Sequence, residues 1–231
     1  MGRLSKRTVR KSVTLGQVAA LEDRVVPATA FALLPSNSLI SFSTENPGAI
    51  NPPVAVTNLG AGENLVGIDF RPQNGQLYGL ATTGTGSVRL YAISQRTGFA
   101  TPLSAPVQFD NIVATVSTPV PITGTAFGFD FNPVVDRIRV TTDTGFNFRM
   151  NPNTGALIDF GGDATDGVQP DTAINSGVGG PVGADAAGYT NSFPNATLTS
   201  LYHLDATTNT LFEQAPPNSG TATEVLTVTP K

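Results

Sequence analysis

Two arginines spaced two residues apart are the side chains best suited to bind an anion. They lie in the segment Asp136-Arg137-Ile138-Arg139, where the alternation of a strand would place both guanidinium groups on one face. Two guanidinium forks can hold a carboxylate or an acidic sugar through paired hydrogen bonds. The same arginines could instead form internal ion pairs with Asp143 or Asp130, and internal pairing is the favoured alternative. The ligand-site prediction comprises Asp130, Asp136, Arg137 and Arg139.

A second candidate site lies in the glycine-rich segment 157–185, which contains several aspartates and no basic residue: Asp159, Asp163, Asp166, Asp171 and Asp185. Clustered carboxylates without a local cation are the ligands that Ca²⁺ prefers. The spacing matches neither an EF-hand loop nor a calcium-binding nonapeptide repeat. We therefore predict either a Ca²⁺ site at the first four of these aspartates or a solvated acidic loop.

Asp69 and Asp130 occupy equivalent places in a repeated motif, each before a phenylalanine and a proline turn. They could form a pair of carboxylates at the centre of a repeat protein. They could instead accept backbone N–H groups in the adjacent turns, which is a common role of aspartate. The recurrence of each aspartate together with its turn favours the structural role.

Hydrolytic catalysis of the serine or cysteine type has little support. The chain has no cysteine, no serine in a Gly-x-Ser-x-Gly motif and a single histidine, His203. His203 lies in the alternating segment 201–205, and we expect its side chain to face solvent or a sheet edge.

The elements that must position these residues are short strands. Phe127, Phe129 and Phe131 alternate with small or polar residues, Arg137–Thr142 alternates again, and Phe146–Met150 follows a turn. Similar strands are predicted at 31–34, 38–42, 65–70, 76–80 and 87–93, with a turn at 45–48. No segment has the length, periodicity and caps of a helix beyond one turn at 60–64.

The strands recur as a repeat. Segment 67–72 (GIDFRP) matches segment 128–133 (GFDFNP), and the turns that end at Gly98 and Gly155 also match. A third copy aligns segment 201–209 with segment 90–98. Units of about 50–60 residues with three or four strands are typical of propeller blades. The sequence predicts an all-β, propeller-like array of about four blades over residues 30–231, with a β-sandwich as the alternative.

These motifs resemble an uncharacterised bacterial domain family that is often exported and is classed only as a domain of unknown function. The resemblance covers about residues 30–231 and rests on LVGIDFRPQNGQLYGL (65–80), AFGFDFNPVVDRIRV (126–140), NPNTG (151–155), GYTN (188–191) and TSLY (199–202). It implies a fold tendency and no catalytic residue. The family usually continues beyond the turn seen here as Ala215–Asn218, so this array is expected to be either complete or shortened with an open edge strand.

Charge is distributed unevenly. Residues 1–28 contain six basic and two acidic side chains, whereas residues 29–231 contain seven basic and fifteen acidic ones. An acidic body with so few basic residues argues against nucleic-acid binding. No segment approaches the roughly 20 apolar residues of a membrane span.

Residues 1–29 are predicted to be a basic leader, either disordered or acting in export. The apolar part is interrupted by Thr14 and Gln17, which makes it a poor secretory signal. The string Leu21-Glu22-Asp23-Arg24 followed by Pro27 resembles an N-terminal signature of exported or surface proteins in one bacterial lineage. That resemblance implies export or surface attachment.

Together these features predict a non-catalytic module at the cell surface or outside the cell, which binds an unknown protein or polysaccharide. Self-association through an open edge strand is an additional expectation. The alternative is a Ca²⁺-dependent, propeller-type hydrolase acting on a lactone or saccharide.

Overall fold

Four antiparallel sheets of four strands each, which we call blades 1 to 4, dominate the computed structural model. The structure describes residues 28–163, 165–176 and 182–227. Blade 1 comprises β1 (Thr29–Leu34), β2 (Ser38–Ser43), β3 (Asn46–Ile50) and β4 (Val54–Ala55), with β2 pairing all three others. Blade 2 comprises β5 (Asn64–Phe70), β6 (Leu77–Thr82), β7 (Val88–Ile93) and β8 (Ala100–Pro102).

A separate hairpin of β9 (Phe109–Val113) and β10 (Val116–Val120) connects blades 2 and 3. Blade 3 comprises β11 (Phe127–Asn132), β12 (Arg137–Thr142), β13 (Asn147–Met150) and β14 (Leu157–Ile158). Blade 4 comprises β15 (Ala186–Tyr189), β16 (Leu201–Asp205), β17 (Thr210–Gln214) and β18 (Ala222–Thr227), with a short 3₁₀ helix at Pro217–Ser219. In blades 2 to 4 the strands pair in chain order.

The first strands of the blades lie side by side at the centre: β1 packs on β5, β5 on β11, and β11 on β15. This arrangement is that of a four-bladed β-propeller, in which each sheet packs face to face on the next. The all-β, propeller-like prediction is therefore confirmed, and the sandwich alternative does not describe the chain.

The repeated motif acts at the contact between neighbouring inner strands. A Cβ atom added at Gly67 would lie 2.6 Å from Phe129 Cβ, and one at Gly128 would lie 2.6 Å from the Ala187 nitrogen. Two residues further along, Asp69 Oδ2 accepts the Phe131 N–H at 2.9 Å, and Asp130 Oδ2 accepts the Tyr189 N–H at 2.7 Å. The glycine permits the close approach of the next blade and the aspartate binds its backbone.

Apolar side chains fill the spaces between blades 1 and 2 and between blades 2 and 3. The first core contains Leu39, Leu65, Leu77, Tyr91 and Ile93, and the second contains Tyr78, Leu80, Phe131, Val140 and Phe148. On β12 and β13 the residues that alternate with this second core face blade 4. They are polar and buried: Arg139, Thr141 and Asn147. The junction of blades 3 and 4 thus contains buried polar side chains, and we call it the polar junction.

Two local predictions are wrong. Residues 46–50 form strand β3 instead of a turn at 45–48, because Pro47 lies on an exposed outer strand, where a missing N–H is tolerated. Segment 201–205 is the second strand of blade 4, whereas segment 90–93 belongs to the third strand of blade 2. The short strand-and-turn pattern of these two hairpins is too similar to distinguish their places in the blade.

The basic leader and its Leu21–Pro27 signature lie outside the described residues. Residues 60–64, predicted as one helical turn, form a turn that leads into β5. In the described part of the chain, β18 pairs with β17 on one side and with no strand on the other, and residues 223–227 are exposed. No described helix has the length and hydropathy needed to cross a membrane.

Candidate functional site: an arginine pocket between blades 3 and 4

A cavity of about 450 Å³ opens at the polar junction of blades 3 and 4, and we call it the arginine pocket. Blade 3 contributes three arginines to its wall, and blade 4 contributes Tyr189 and the turn 216–218. The lining residues are Asn132, Val135, Arg137, Ile138, Arg139, Arg149, Tyr189, Pro216, Pro217 and Asn218. Pockets of this size hold small organic ligands in many proteins.

The strand register brings the arginines together. Arg139 on β12 lies directly opposite Arg149 on β13, and Arg137 lies two residues before Arg139 on the same face. Like charges directly opposite each other destabilise a sheet, so an adjacent arginine pair requires compensation.

The compensating group is Asp171, which comes from the irregular segment between β14 and β15. Its Oδ2 accepts from Arg139 Nη1 at 2.5 Å and from Arg149 Nε at 2.8 Å, and its Oδ1 accepts from Arg149 Nη2 at 2.7 Å. The Asp171 side chain is fully buried, whereas that of Arg149 remains 21% exposed. One carboxylate therefore serves two guanidinium groups from inside the protein.

Neutral amides complete the support of Arg139. Its Nη1 donates to Asn147 Oδ1 at 2.8 Å and its Nη2 to Asn218 Oδ1 at 2.6 Å. Asn147 Nδ2 in turn donates to the Pro217 carbonyl at 2.9 Å, which ties the turn of blade 4 to blade 3. Arg139 Nε is buried without a hydrogen-bond acceptor among the described residues.

The pocket concentrates positive charge in an acidic protein. Three of the six arginines in the described part of the chain line it, and that part contains no lysine. Asp171 balances one of these charges. Asp136, the acidic residue next to Arg137, is held by Arg71 of blade 2. Among the described residues, the three arginines of the pocket therefore exceed the single carboxylate that binds them by two positive charges, although Arg137 alone has no acidic partner.

The four residues of the predicted ligand site separate into three environments. Arg137 and Arg139 line the pocket, Asp136 faces Arg71, and Asp130 lies on the inner strand. The expected internal ion pair is observed for Arg139, but its partner is Asp171 and not Asp143 or Asp130. Arg137 forms no such pair among the described residues, and its Nη1 donates to the Asp136 carbonyl at 2.9 Å.

The Arg71–Asp136 pair links blades 2 and 3 outside the pocket. Arg71 Nε donates to Asp136 Oδ1 at 2.8 Å, and Nη1 donates to Asn153 Oδ1 at 2.8 Å and to the Tyr78 hydroxyl at 3.3 Å. The hydrogen bond with Asp136 is the main cause of a raised pKa of Arg71. This pair is consistent with a structural role.

Asp69 and Asp130 form a carboxyl pair at the centre of the propeller. Burial, together with the negative charge of Asp69, raises the pKa of Asp130 to about 8. Burial also raises the pKa of Asp69, against the hydrogen bonds from the Phe131 and Phe70 N–H groups. Two close buried carboxyls hold a proton between them, and here both also bind inner-strand backbone. The predicted backbone-binding role is observed, but the donors lie on strands instead of in the adjacent turns: both aspartates bind the next blade, and Asp69 also binds Phe70 of its own strand.

Three of the four predicted calcium residues form hydrogen bonds within the protein, whereas Asp166 Oδ1 is buried without a partner among the described residues. Asp171 faces two arginines, and Asp159 accepts the N–H groups of Gly162 and Gln169. Asp163 accepts the N–H and hydroxyl of Thr165, which lower its pKa. Within the described residues, no three acidic or histidine side chains are grouped to hold a metal ion.

His203 is buried, contrary to the expectation that it faces solvent. It is 1% exposed, its ring stacks on that of Phe212 at 5.2 Å, and neither ring nitrogen has a hydrogen-bond partner among the described residues. Burial lowers the pKa of His203 to about 4. The predicted alternation of β16 was correct, but alternation could not reveal that the face carrying His203 would be buried.

Among the charged and amide residues of the pocket, sequence reasoning missed three: Arg149, Asn132 and Asn218. Counting residues outward from the turn at 143–145 would have given the register of this hairpin and placed Arg149 opposite Arg139. Asn132 precedes the turn that leads to Arg137, with which it pairs across the strands. Asn218 is 79 residues from Arg139, and no local signal connects the two.

Comparison with known proteins gives one assignment. The model of the family described as "Domain of unknown function (DUF4394)" matches residues 38–229, which include all four blades in whole or in part. A comparison with curated proteins finds no match. The matched range covers most of the chain and contains every residue of the arginine pocket, so this protein belongs to the DUF4394 family.

Proposed function

We propose that this protein is a non-catalytic binding module whose arginine pocket recognises an acidic ligand, namely a carboxylated saccharide. The observation that carries the proposal is the convergence of Arg137, Arg139 and Arg149 on one cavity with Asp171 as their only acidic partner among the described residues. A carboxylate of the ligand would supply the negative charge that this arrangement lacks.

The lining fits a ligand that is only partly polar. Pro216, Pro217 and the exposed Val135 offer apolar surface beside the guanidinium groups, which suits the apolar C–H face of a sugar ring. The net charge of −4 repels polyanions over the rest of the surface. Binding of an acidic polymer would therefore depend on the local site.

The proposed setting is the cell surface or the extracellular space, with a surface polysaccharide as partner. Support comes from the sequence of the basic leader and its Leu21–Pro27 signature. A polymer with many carboxylates would also allow several copies of the protein to bind at once, which increases the overall binding strength.

Affinity electrophoresis of the full chain in gels containing polygalacturonate tests the proposal, with dextran as the neutral polymer. We expect retardation in polygalacturonate alone, and its loss in Arg137→Gln. Arg137 is half-buried and donates only to backbone carbonyls, so this change should leave the fold intact. Arg96→Gln removes the same charge from an exposed turn and should migrate as wild type. Equal migration in both gels would overturn the proposal.

A Ca²⁺-dependent hydrolase is the second candidate, and the proton-sharing pair of Asp69 and Asp130 is the observation in its favour. Both carboxylates already bind inner-strand N–H groups, which makes this candidate weaker. A thermal melt with millimolar Ca²⁺ and then with excess chelator distinguishes the two. Ligand at about a hundred times its dissociation constant adds roughly 2.7 kcal/mol, so a clear upward shift would favour the hydrolase.

We also propose that a second copy of this chain is a partner, bound through strand β18. Within the described residues, Ala222 N–H donates to the Asn175 carbonyl, and beyond it no strand pairs with the outer edge of β18, which a second copy could extend. Sedimentation over a range of concentrations tests it, since a strict monomer would count against the pairing.

A further inference from the structure

We propose that the arginine pocket binds two carboxylates of one ligand at once, so that its ligand is a dianion. This inference rests on the proposed function and names the ligand class of the same site. It follows from the charges and from the hydrogen-bonding groups that the pocket leaves free.

Among the described residues, every polar side-chain group that the pocket leaves free can donate a hydrogen bond, and of these only the Tyr189 hydroxyl can also accept one. Both oxygens of Asp171 are taken by arginines, Asn218 Oδ1 accepts from Arg139, and Asn132 Oδ1 accepts the N–H groups of Val134 and Val135. Besides the buried Arg139 Nε, the side-chain N–H groups without a partner among the described residues are Arg137 Nε and Nη2, Arg149 Nη1, Asn132 Nδ2 and Asn218 Nδ2. A pocket of this kind suits carboxylate oxygens, which only accept hydrogen bonds.

These free donors form two sets. Arg149 Nη1 and Asn218 Nδ2 belong to the set around Arg139, where blade 3 meets the turn of blade 4. Arg137 and Asn132 are directly paired across β11 and β12 and form the other set. The strand separates Arg137 from Arg139 by two residues, or about 7 Å. Each set contains one guanidinium group that can face a carboxylate and one amide that can hold its second oxygen.

The charge balance agrees with this division. Three arginines and one buried carboxylate leave two positive charges, one for each set. A ligand with a single negative charge would leave one of these two positive charges without a carboxylate, in a partly desolvated part of the pocket. Two neighbouring acidic units of a saccharide would satisfy both.

Calorimetric titration of the full chain with succinate and adipate, each beside its own monoamide, tests the inference. The monoamide keeps the length and shape of the diacid and removes one charge. We expect at least one diacid to bind about tenfold or more tightly than its monoamide, because a hydrogen bond to a charged group contributes more than one to a neutral group. In Arg137→Gln the ratio of the affinity for the diacid to that for its monoamide should fall to nearly one. In Arg96→Gln the ratio should stay as in wild type.

Equal affinity for diacid and monoamide would overturn the inference and leave the proposed function standing. Failure of both diacids to bind would overturn the inference as well, and the polygalacturonate gel would then decide separately on the proposed function. A diacid preference that survives in Arg137→Gln would also contradict it, because the second carboxylate would lie elsewhere.

Discussion

Arg139 and Arg149 lie directly opposite each other on β12 and β13, and the buried carboxylate of Asp171 binds both of them. Two like charges in register contradict the usual pairing of a sheet. Local rules of this kind are broken mostly at functional sites, where stability is given up for another purpose. This relationship is the physical basis of the proposed anion site.

Replacement of Asp171 by asparagine should destabilise the fold strongly. The change leaves two guanidinium groups, one of them 2% exposed, without a negative partner, and breaking a buried pair costs about 3–5 kcal/mol. Urea unfolding measures the change in free energy. Asp163→Asn, at an exposed aspartate of the same segment, should stay within about 0.5 kcal/mol. A similar small effect of Asp171→Asn would show that the shared carboxylate is dispensable.

Asp130→Asn should stabilise the protein near pH 8. The folded pKa of Asp130 is raised to about 8, so the folded state keeps a proton that the unfolded state releases above about pH 4. Its contribution to stability is therefore present below about pH 4 and is lost as the pH rises toward 8. An asparagine mimics the protonated carboxyl and still accepts the Tyr189 N–H. It should therefore raise the free energy of unfolding near pH 8 by at least about 1 kcal/mol, as measured by urea unfolding.

Asp69→Asn is the matched control for this change. Both oxygens of Asp69 accept backbone N–H groups, from Phe70 at 2.7 Å and from Phe131 at 2.9 Å, so an amide there loses one acceptor. It should destabilise the fold by about 1–3 kcal/mol. The account of the carboxyl pair fails if the two asparagine variants respond in the same direction near pH 8.

His203 should make the fold sensitive to acid. Burial lowers its pKa to about 4, below the unfolded value of about 6.5, so its contribution to stability is complete above pH 6.5 and is lost as the pH falls toward 4. The free energy of unfolding should fall by up to about 1.4 kcal/mol per pH unit in this window. His203→Phe keeps the ring against Phe212 and should remove that slope. An unchanged slope would assign the acid sensitivity to other groups.

Gly67→Ala should weaken the contact between blades 2 and 3. The added Cβ would lie 2.6 Å from Phe129 Cβ, which the neighbouring inner strand cannot accommodate without moving. We expect a loss of about 1–3 kcal/mol, the usual cost of overpacking. Gly188→Ala, also on an inner strand, meets no atom within 4 Å and should cost little. Equal losses in the two variants would indicate a backbone effect instead of blade packing.

The sequence predicted the scaffold better than the site. The alternation of Phe127, Phe129 and Phe131 and the repeat of the Gly-x-Asp-Phe motif identified the strands and the propeller-like array, because both patterns reflect how each blade packs on the next. The burial of His203 could not be predicted, since alternation shows that a strand has two faces and not what covers them.

Among the pocket residues, too, those with a local sequence pattern were predicted and those placed by packing were not. Arg137 and Arg139 were identified because their spacing on one strand is a local property. Their partners come from distant segments: Asp171 is 32 residues from Arg139, and Asn218 is 79 residues from it. Asp171 was predicted as a calcium ligand because its segment contains several carboxylates and no basic residue, and the irregular segment has no periodicity that would reveal its contact with arginines of blade 3. Its actual neighbours are defined only by the packing of blades 3 and 4.

The most direct test of the central claim is a binding titration of the full chain with an oligogalacturonate, in wild type, Arg137→Gln and Arg96→Gln. The arginine pocket predicts measurable binding by wild type, a dissociation constant about tenfold or more weaker in Arg137→Gln, and no change in Arg96→Gln. Absence of binding by the wild-type protein, or equal weakening in the two variants, would contradict recognition of an acidic ligand at this pocket.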